Sequence, residues 1–210
     1  MSSQRVRIRF SKTGDLKLIS HRDMVRAFER LFRRAGVELA MSQGFHPRPL
    51  MTFPDALALG VVGLDEVMDL TLAVQVDPTE FRDLLDQKSP PGLRIKSVEL
   101  LGDQQRKVKM EKAVYELTLP VDTDIDSLEK AIQEFTARDK LVVERKDKQV
   151  ELNLTESLDG LWIEDGRLLM SVRVVQQSQL QPRDILAALG LGEVLREGAT
   201  LTRTKIELTQ

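Results

Sequence analysis

A chain of 210 residues with 41% hydrophobic residues can fill the core of one large domain or two small ones, so we expect a folded protein. It has no cysteine, which excludes disulfides, thiolate zinc sites and an iron–sulfur cluster held by this chain. No apolar run approaches the roughly 18 residues of a membrane-spanning helix, and the first residues lack the apolar stretch of a signal peptide. The sequence therefore predicts a cytoplasmic protein that does not enter the membrane.

The net charge of −2 conceals an asymmetry along the chain. Residues 1–50 carry eleven Lys and Arg against four Asp and Glu, whereas the remaining residues carry 20 against 29. Because charge of one sign attracts partners of the other sign, the basic part is expected to bind a polyanion. The alternative is that the basic and acidic parts face each other within the fold or in a dimer.

The first half of the chain reads as strand, helix, strand, strand, helix, strand. Residues 5–10 alternate charged and apolar side chains, as in a strand with one solvated face. Ser20 and Asp23 form a pattern similar to a capping box and predict a helix that begins near His21 and ends at Gly36. The later predicted elements are a short strand at 50–53, a strand at 67–76, a helix at 78–87 that begins at Thr79, and a strand at 93–101.

The second half repeats this order after a polar, charged stretch at residues 102–112, which is the predicted linker. Its predicted elements are a strand at 114–121, a helix at 125–137 started by Asp124, one or two strands within 141–154, a strand at 167–175, a helix at 182–189 stopped by Gly190, and a strand at 200–208. Tyr115 and Trp162 are expected to be core or domain-interface residues rather than stacking platforms, because isolated aromatic residues in strands usually pack inward. The repeated order is that of the ferredoxin-like βαββαβ unit, in which both helices cover one face of an antiparallel sheet. We therefore predict an α+β protein of two tandem ferredoxin-like domains, residues 1–102 and 113–210.

Five arginines follow helical spacing on the first predicted helix. Four of them step by four, four and three residues and form one ridge, and the fifth lies beside it. They are Arg22, Arg26, Arg30, Arg33 and Arg34. A guanidinium offers a planar pair of donors that matches two phosphate oxygens, so this ridge is predicted to bind RNA or DNA. The alternative is a solvated helix face with ion pairs such as Glu29 with Arg33, although one acid cannot neutralise five arginines.

Residues 42–48 form a loop with a composition suited to an unpaired nucleotide. Gly44 permits a sharp turn, and Pro47 holds the residue before it in an extended conformation. Such a loop can present an aromatic ring for stacking, an imidazole for hydrogen bonding and a guanidinium for phosphate. The predicted nucleic-acid contacts of this loop are Ser42, Phe45, His46 and Arg48. The alternative is that the prolines merely fix a connection between two elements.

The two histidines are candidate catalytic residues, although neither is assigned a role. His21 lies in the first turn of the helix, where the helix dipole disfavours a protonated ring, so a neutral imidazole could act as a general base or donate a hydrogen bond. The alternative is that His21 caps the helix or packs against its neighbours. His46 belongs to the loop of residues 42–48. Two histidines without cysteine or an HExxH motif do not favour a metal site, and no phosphate-binding glycine loop, dinucleotide fingerprint or nucleophile elbow is present. No metal or other cofactor is expected.

Four stretches resemble the radical SAM-linked protein family, a domain of unknown function. They are F-S-K-x-G at 10–14, L-I-S-H-x-D-M-x-R-x-F-E-R at 18–30, R-R-A-G at 33–36 and S-x-G-F-H-P-R-P at 42–49. The resemblance implies a cobalamin-binding radical SAM protein as partner, encoded beside the domain or fused to it. It also implies an RNA context, because the family can neighbour ribonuclease E/G-type proteins. A chain without cysteine cannot itself be the radical enzyme.

Together these features predict an RNA-binding accessory module that acts with a radical SAM enzyme modifying RNA or another macromolecule and is not an enzyme on its own. A first alternative is a metal-independent endoribonuclease. The predicted architecture is similar to that of CRISPR repeat-processing endoribonucleases, which would make His21 the general base or acid and use His46 or an arginine to stabilise charge. A second alternative is a domain that docks on the radical SAM partner through its basic face.

Overall fold

The computed structural model describes residues 3–102, 108–175 and 179–209 of the chain. The chain divides into two compact units, with the boundary between Lys109 and Met110. Each unit combines helices with antiparallel strands, so the predicted α+β class is confirmed. None of the helices in the described ranges is long and apolar enough to cross a membrane.

Unit 1 has a central strand that is paired on both sides. Its elements are β1 (Gln4–Lys12), α1 (His21–Arg34), β2 (Met51–Thr52), β3 (Val62–Leu72), α2 (Pro78–Lys88) and β4 (Leu93–Leu101), with a 3-10 turn at Gly14–Leu18. The strands lie in the order β4-β1-β3-β2, and each neighbouring pair is antiparallel. The short strand predicted at residues 50–53 is present as β2.

The core of unit 1 forms because the apolar residues of β1 and α1 recur with the period of each element. Val6, Ile8 and Phe10 are buried on one face of β1 and belong to the same cluster as the apolar face of α1. The buried side chains of that cluster from α1 are Met24, Phe28, Leu31 and Phe32. Full burial of a side chain of this size stabilises the fold by about 1.5–3 kcal/mol. The Ser20 hydroxyl accepts from the amide of Asp23, which confirms the predicted start of α1.

β3 begins earlier and ends earlier than the strand predicted at residues 67–76. Pairing with β1 continues to Gly63, opposite Lys12, through a polar stretch that has no alternating pattern. Beyond β3, the amide of Ala73 donates to the carbonyl of Glu38 in the segment after α1. Pairing between segments that are distant in the chain therefore sets both ends of this strand.

The strands of unit 2 are also antiparallel to their neighbours. The elements of this unit are β5 (Met110–Thr118), α3 (Ile125–Thr136), β6 (Lys140–Arg145), β7 (Lys148–Asn153), α4 (Leu154–Ser157), β8 (Leu158–Glu164), β9 (Arg167–Arg173), α5 (Pro182–Ala188) and β10 (Leu201–Leu208). The sheet order is β10-β5-β9-β8, with antiparallel neighbours, and β6 and β7 form a separate hairpin. Without that hairpin and α4, the order of elements and of strands is the same as in unit 1.

Two features of unit 2 differ from the sequence expectation. The prediction lacks β8, in which Asp159 and Gly160 separate the apolar residues. The expectation that Trp162 of this strand packs inward is wrong, because this residue is 40% exposed. Tyr115 is buried as expected. β5 begins at Met110, inside the range predicted as linker, and the central linker residues 103–107 lie outside the described residues.

The face of the unit 1 sheet opposite the helices carries ion pairs between β1 and β3. Arg7 donates from Nε and Nη2 to the two carboxylate oxygens of Asp69, at 2.8 and 3.0 Å, and the side chains are only 9% and 11% exposed. Arg9 donates from Nη1 to Asp65 at 2.7 Å in a more exposed position. Arg7 and Asp69 lie directly opposite each other in the ladder, so their pairing favours this register over a slip by one residue.

We expect Arg7→Met to lower the free energy of unfolding by about 3–5 kcal/mol, because it leaves the largely buried carboxylate of Asp69 without its counter-charge. Arg9→Met removes an exposed pair and should cost about 1 kcal/mol or less. Urea unfolding followed by circular dichroism measures both values. Equal losses for the two variants would contradict this account.

A charge network joins the strands of unit 2 around Asp159 of β8. Its carboxylate accepts from Ser171 Oγ at 3.0 Å, pairs with Lys112 Nζ at 3.1 Å and pairs with the Arg173 guanidinium. Burial alone would raise the pKa of Asp159, but the hydrogen bonds from Lys112 and Ser171 and the charge of Arg173 outweigh it and lower the pKa below its ordinary value.

A lowered carboxyl pKa stabilises the fold above the pKa of the unfolded chain, and this contribution is lost as pH falls through the folded pKa. We therefore expect Asp159→Asn to destabilise the protein at pH 7, with a difference from wild type that shrinks as the pH falls below about 3.9. Urea unfolding of both proteins between neutral and acid pH tests this. A difference that stays constant with pH would show that the charge of Asp159 is not responsible.

Candidate nucleic-acid interface

The five arginines of α1 lie on its solvent-exposed face. All five side chains are exposed, and the residues between them supply the buried face of the helix. With a rise of about 1.5 Å per residue, the ridge from Arg22 to Arg33 extends over about 16 Å. The helix therefore presents a line of guanidinium groups to solvent.

Most of this charge has no counter-charge among the described residues. Arg26 pairs with Asp23 at 3.3 Å, and Arg34 donates to the carbonyl of Lys88 at the end of α2 at 2.9 Å. In the part of the chain that the structure describes, Arg22, Arg30 and Arg33 have no hydrogen-bond or ion-pair partner, so the ion pair considered between Glu29 and Arg33 is not formed.

Asp23 is itself engaged at the start of α1. The hydrogen bond from the Ser20 hydroxyl lowers the pKa of Asp23 below its ordinary value, and the charge of Arg26 lowers it further. Burial opposes both effects but does not outweigh them. Asp23 thus begins the helix as well as pairing with Arg26. The remaining arginines stay available to an external anion.

The loop of residues 42–48 is closed at its base by two hydrogen bonds. The amide of Ser42 donates to the carbonyl of Arg48 at 2.8 Å, and the amide of Arg48 donates to the Ser42 hydroxyl at 3.0 Å. Met41 and Pro49 form a bridge just outside this closure. The Ser42 oxygen therefore shapes the loop, although its hydroxyl can still donate to a ligand.

The tip of this loop presents an aromatic ring to solvent. Phe45 is fully exposed, and Gly44 before it has φ +124°, a backbone conformation that favours glycine. His46 and Arg48 are also exposed. A fully exposed phenylalanine gains nothing from packing within the protein, so its ring is available for stacking on a ligand.

His21 faces a small cavity at the N-terminal end of α1 rather than this loop. Its ring meets that of Phe53 edge to face, with centroids 5.0 Å apart. The cavity has a volume of about 20 Å³, enough for one water-sized group, and is also lined by Lys12, Asp55 and Glu66. His46 is not among its lining residues, so the structure does not bring the two histidines together.

Lys12 and Glu66 are buried charged residues of this cavity that no sequence motif identifies. They are 2% and 4% exposed and lie on the helix-covered face of the sheet, beside an irregularity in the pairing of β1 with β3. Lys12 Nζ donates to the carbonyl of Ile19 at 3.0 Å. A Cβ on Gly63 would lie 2.6 Å from Glu66 Cγ and Oε1, so glycine leaves room for this carboxylate.

The cavity brings an ammonium group, carboxylates and an imidazole together at one end of the ridge. Groups of this kind can hold and transfer a proton. Within the described residues, no group of three His, Asp or Glu side chains is arranged to hold a metal ion. The groups present can supply hydrogen bonds and transfer protons.

The chain is similar to two solved structures at low identity. It aligns with a chain from the crystal structure of a Cbf5-Nop10-Gar1 complex at 14% identity and a TM-score of 0.44, over 96% of this chain and 48% of that chain. It aligns with an unknown protein from Galdieria sulphuraria at 12% identity and a TM-score of 0.27, over the full length of both chains. The chain thus spans about half the length of the first of these structures.

No curated protein matches the sequence. Residues 5–182 match the family described as "Uncharacterized protein conserved in bacteria" (DUF2344). This match extends through α1, the loop and the cavity residues and continues into unit 2. The chain therefore belongs to this bacterial protein family.

Proposed function

We propose that this chain is an RNA-binding accessory module that binds RNA through the exposed face of α1 and the loop of residues 42–48. The observation that carries the proposal is the contrast between the arginines of β1 and those of α1. Arg7 and Arg9 have aspartate partners on the neighbouring strand. Arg22, Arg30 and Arg33 have no such partner among the described residues.

The unpaired arginines carry a cost that a bound polyanion would remove. Like charges three and four residues apart on a helix repel each other and destabilise it. Phosphates along one strand of RNA would lie against such a ridge and replace that repulsion with charge-assisted hydrogen bonds. The exposed ring of Phe45 adds a stacking surface, which single-stranded nucleic acids use irrespective of sequence.

We further propose that both units are ferredoxin-like domains. The support is the βαββαβ order of each unit and the strand order that the two units share. A four-stranded sheet of this general kind serves RNA binding in recognition-motif domains. The fold alone does not determine the function, so the proposal depends on the side chains of the site.

The proposed partner is a cobalamin-type radical SAM protein in the cytoplasm. The support is the sequence resemblance in residues 10–49 together with the absence of cysteine, since the partner must carry the cluster. In such a pair, this chain would hold the RNA and the partner would modify it.

We expect Arg30→Glu with Arg33→Glu to weaken RNA binding at least tenfold and to reduce the slope of log K against log salt concentration by about 1.4, because two phosphate contacts to a single strand are lost. Fluorescence anisotropy with labelled RNA across a salt series measures both quantities. The matched control is Lys130→Glu with Arg138→Glu, an equal charge change at exposed residues in and just after α3. Equal losses of RNA affinity in the two double variants would show that the overall charge of the protein, and not the ridge, is responsible.

Failure of the wild type to bind RNA at low salt would contradict RNA binding. We would then infer that the arginine ridge binds the protein partner instead of RNA. In that case, co-purification with the radical SAM protein should survive nuclease treatment and be lost in Arg26→Glu with Arg30→Glu.

A second candidate function is metal-independent cleavage of RNA, and the cavity at the start of α1 favours it. His21 lies in that cavity with the buried groups of Lys12 and Glu66, next to the first arginine of the ridge. RNA held along α1 would reach this end of the helix. An imidazole there could accept a proton from a ribose hydroxyl.

If the cavity is catalytic, the wild type cleaves RNA in excess chelator, whereas His21→Ala binds RNA with unchanged affinity and does not cleave it. His46→Ala serves as the control, because His46 lies outside the cavity, and it should retain cleavage. Gel analysis of labelled RNA gives the result. Intact RNA with the wild type would exclude this candidate and leave the accessory role.

A further inference from the structure

A groove lies on the face of the unit 1 sheet that the helices do not cover. It has a volume of about 340 Å³ and is lined by residues of β1, β2 and β3 and by the residues that lead into β2. The pairing places Arg5 of β1 opposite Thr71 of β3, and Thr52 of β2 opposite Asp69 of β3. Four polar side chains from three strands therefore meet in this groove.

These side chains offer both donors and acceptors in fixed positions. Asp69 is held by the two hydrogen bonds from Arg7, and each of its oxygens keeps a further lone pair. Within the described residues the hydroxyls of Thr52 and Thr71 make no hydrogen bond, so each can donate and accept. Arg5 contributes a guanidinium.

This mixture of groups is suited to the edge of a nucleobase. A base edge presents donors and acceptors side by side, and the groove offers the complementary set. The carboxylate of Asp69 has no proton to donate in a hydrogen bond to a phosphate, whereas it can accept a hydrogen bond from the amino or imino group of a base. An aliphatic chain would leave the two hydroxyls without partners. The volume lies in the range of sites for small organic molecules.

The groove also adjoins the loop that carries Phe45. Pro49 and Leu50 line it, and Pro49 belongs to the bridge with Met41 that closes the foot of the loop. Met41 and Leu50 are 46% and 42% exposed, and Phe45 is fully exposed. Apolar side chains thus border the polar groups of the groove. In this arrangement the edge of one base can form hydrogen bonds in the groove while the next base stacks on an aromatic ring.

We propose that this groove binds the base of one unpaired nucleotide, with Thr52, Thr71 and Asp69 hydrogen-bonded to the base edge and Phe45 stacked on an adjacent base. This inference rests on the proposed RNA function and specifies the kind of RNA. Bases within a duplex are stacked and paired, so their edges are not free to enter the groove. The ligand is therefore single-stranded or looped RNA, and duplex RNA binds only to the arginine ridge.

The test uses the full chain and one RNA sequence, presented either as a short labelled single strand or annealed to its complement. Thr52→Val and Thr71→Val remove one hydroxyl each at nearly constant shape and suit a strand. Each should weaken binding of the single strand about threefold to tenfold, the effect of one hydrogen bond, and leave duplex binding unchanged. Thr118→Val, at an exposed position of β5, is the matched control and should bind both RNAs like the wild type.

The arginine ridge variant separates this proposal from the RNA function itself. Arg30→Glu with Arg33→Glu should weaken binding of both RNAs. If it does so while the threonine variants bind the single strand like the wild type, RNA binding stands and the groove proposal is wrong. A threonine variant that remains folded by circular dichroism but loses duplex and single-strand binding equally would also overturn the proposal. A wild type that binds neither RNA would overturn the RNA function, and the groove proposal with it.

Discussion

The packing of α1 against β1 is the interaction on which the rest of unit 1 depends. Phe28 of α1 meets Phe10 of β1 with ring centroids 4.9 Å apart, and both side chains are almost completely buried. This contact determines which face of each element meets water. Once the apolar face of α1 is buried on the sheet, its arginines can only point outward, and the charged face of β1 can only lie on the opposite side of the sheet.

The arginines of β1 and those of α1 differ in whether folding requires them to have a counter-charge. Arg7 is largely removed from water, and an isolated buried charge costs on the order of several kcal/mol. Arg7 therefore needs a counter-charge, which Asp69 provides. The arginines of α1 remain solvated, so folding imposes no requirement for a partner. Their charge is therefore free to act in binding, whereas the charge of Arg7 serves the fold and orients one side chain of the groove.

The cavity at the start of α1 shows the same principle at the end of the sheet. Lys12 and Glu66 continue the buried faces of their strands, where further apolar residues would have completed the core. Charged side chains are rarely buried at such positions without a specific set of contacts. Their presence beside His21, in a space kept open by Gly63, indicates that this end of the core is organised around polar groups rather than hydrophobic packing.

Features that depend on local periodicity can be predicted from the order of the residues alone. The cap at Ser20, the extent of α1, the outward direction of its arginines and the alternation of β1 all follow from the spacing of neighbouring residues, because burial of one face imposes a period of 3.6 on a helix and of two on a strand. The order of elements in unit 1 follows in the same way. Local pattern was insufficient for β8, in which Asp159 and Gly160 separate the apolar residues and pairing with β9 holds the strand.

Contacts between residues that are distant in the chain depend on how the strands pair. Thr52 and Asp69 share a groove because β2 pairs with β3, and Lys12 and Glu66 share a cavity because β1 pairs with β3. In the sequence each of these residues is an ordinary polar side chain in or near a strand. Strand register is a non-local property, since hydrogen-bonded partners lie far apart in the chain, and the binding groove and the cavity are consequences of that register.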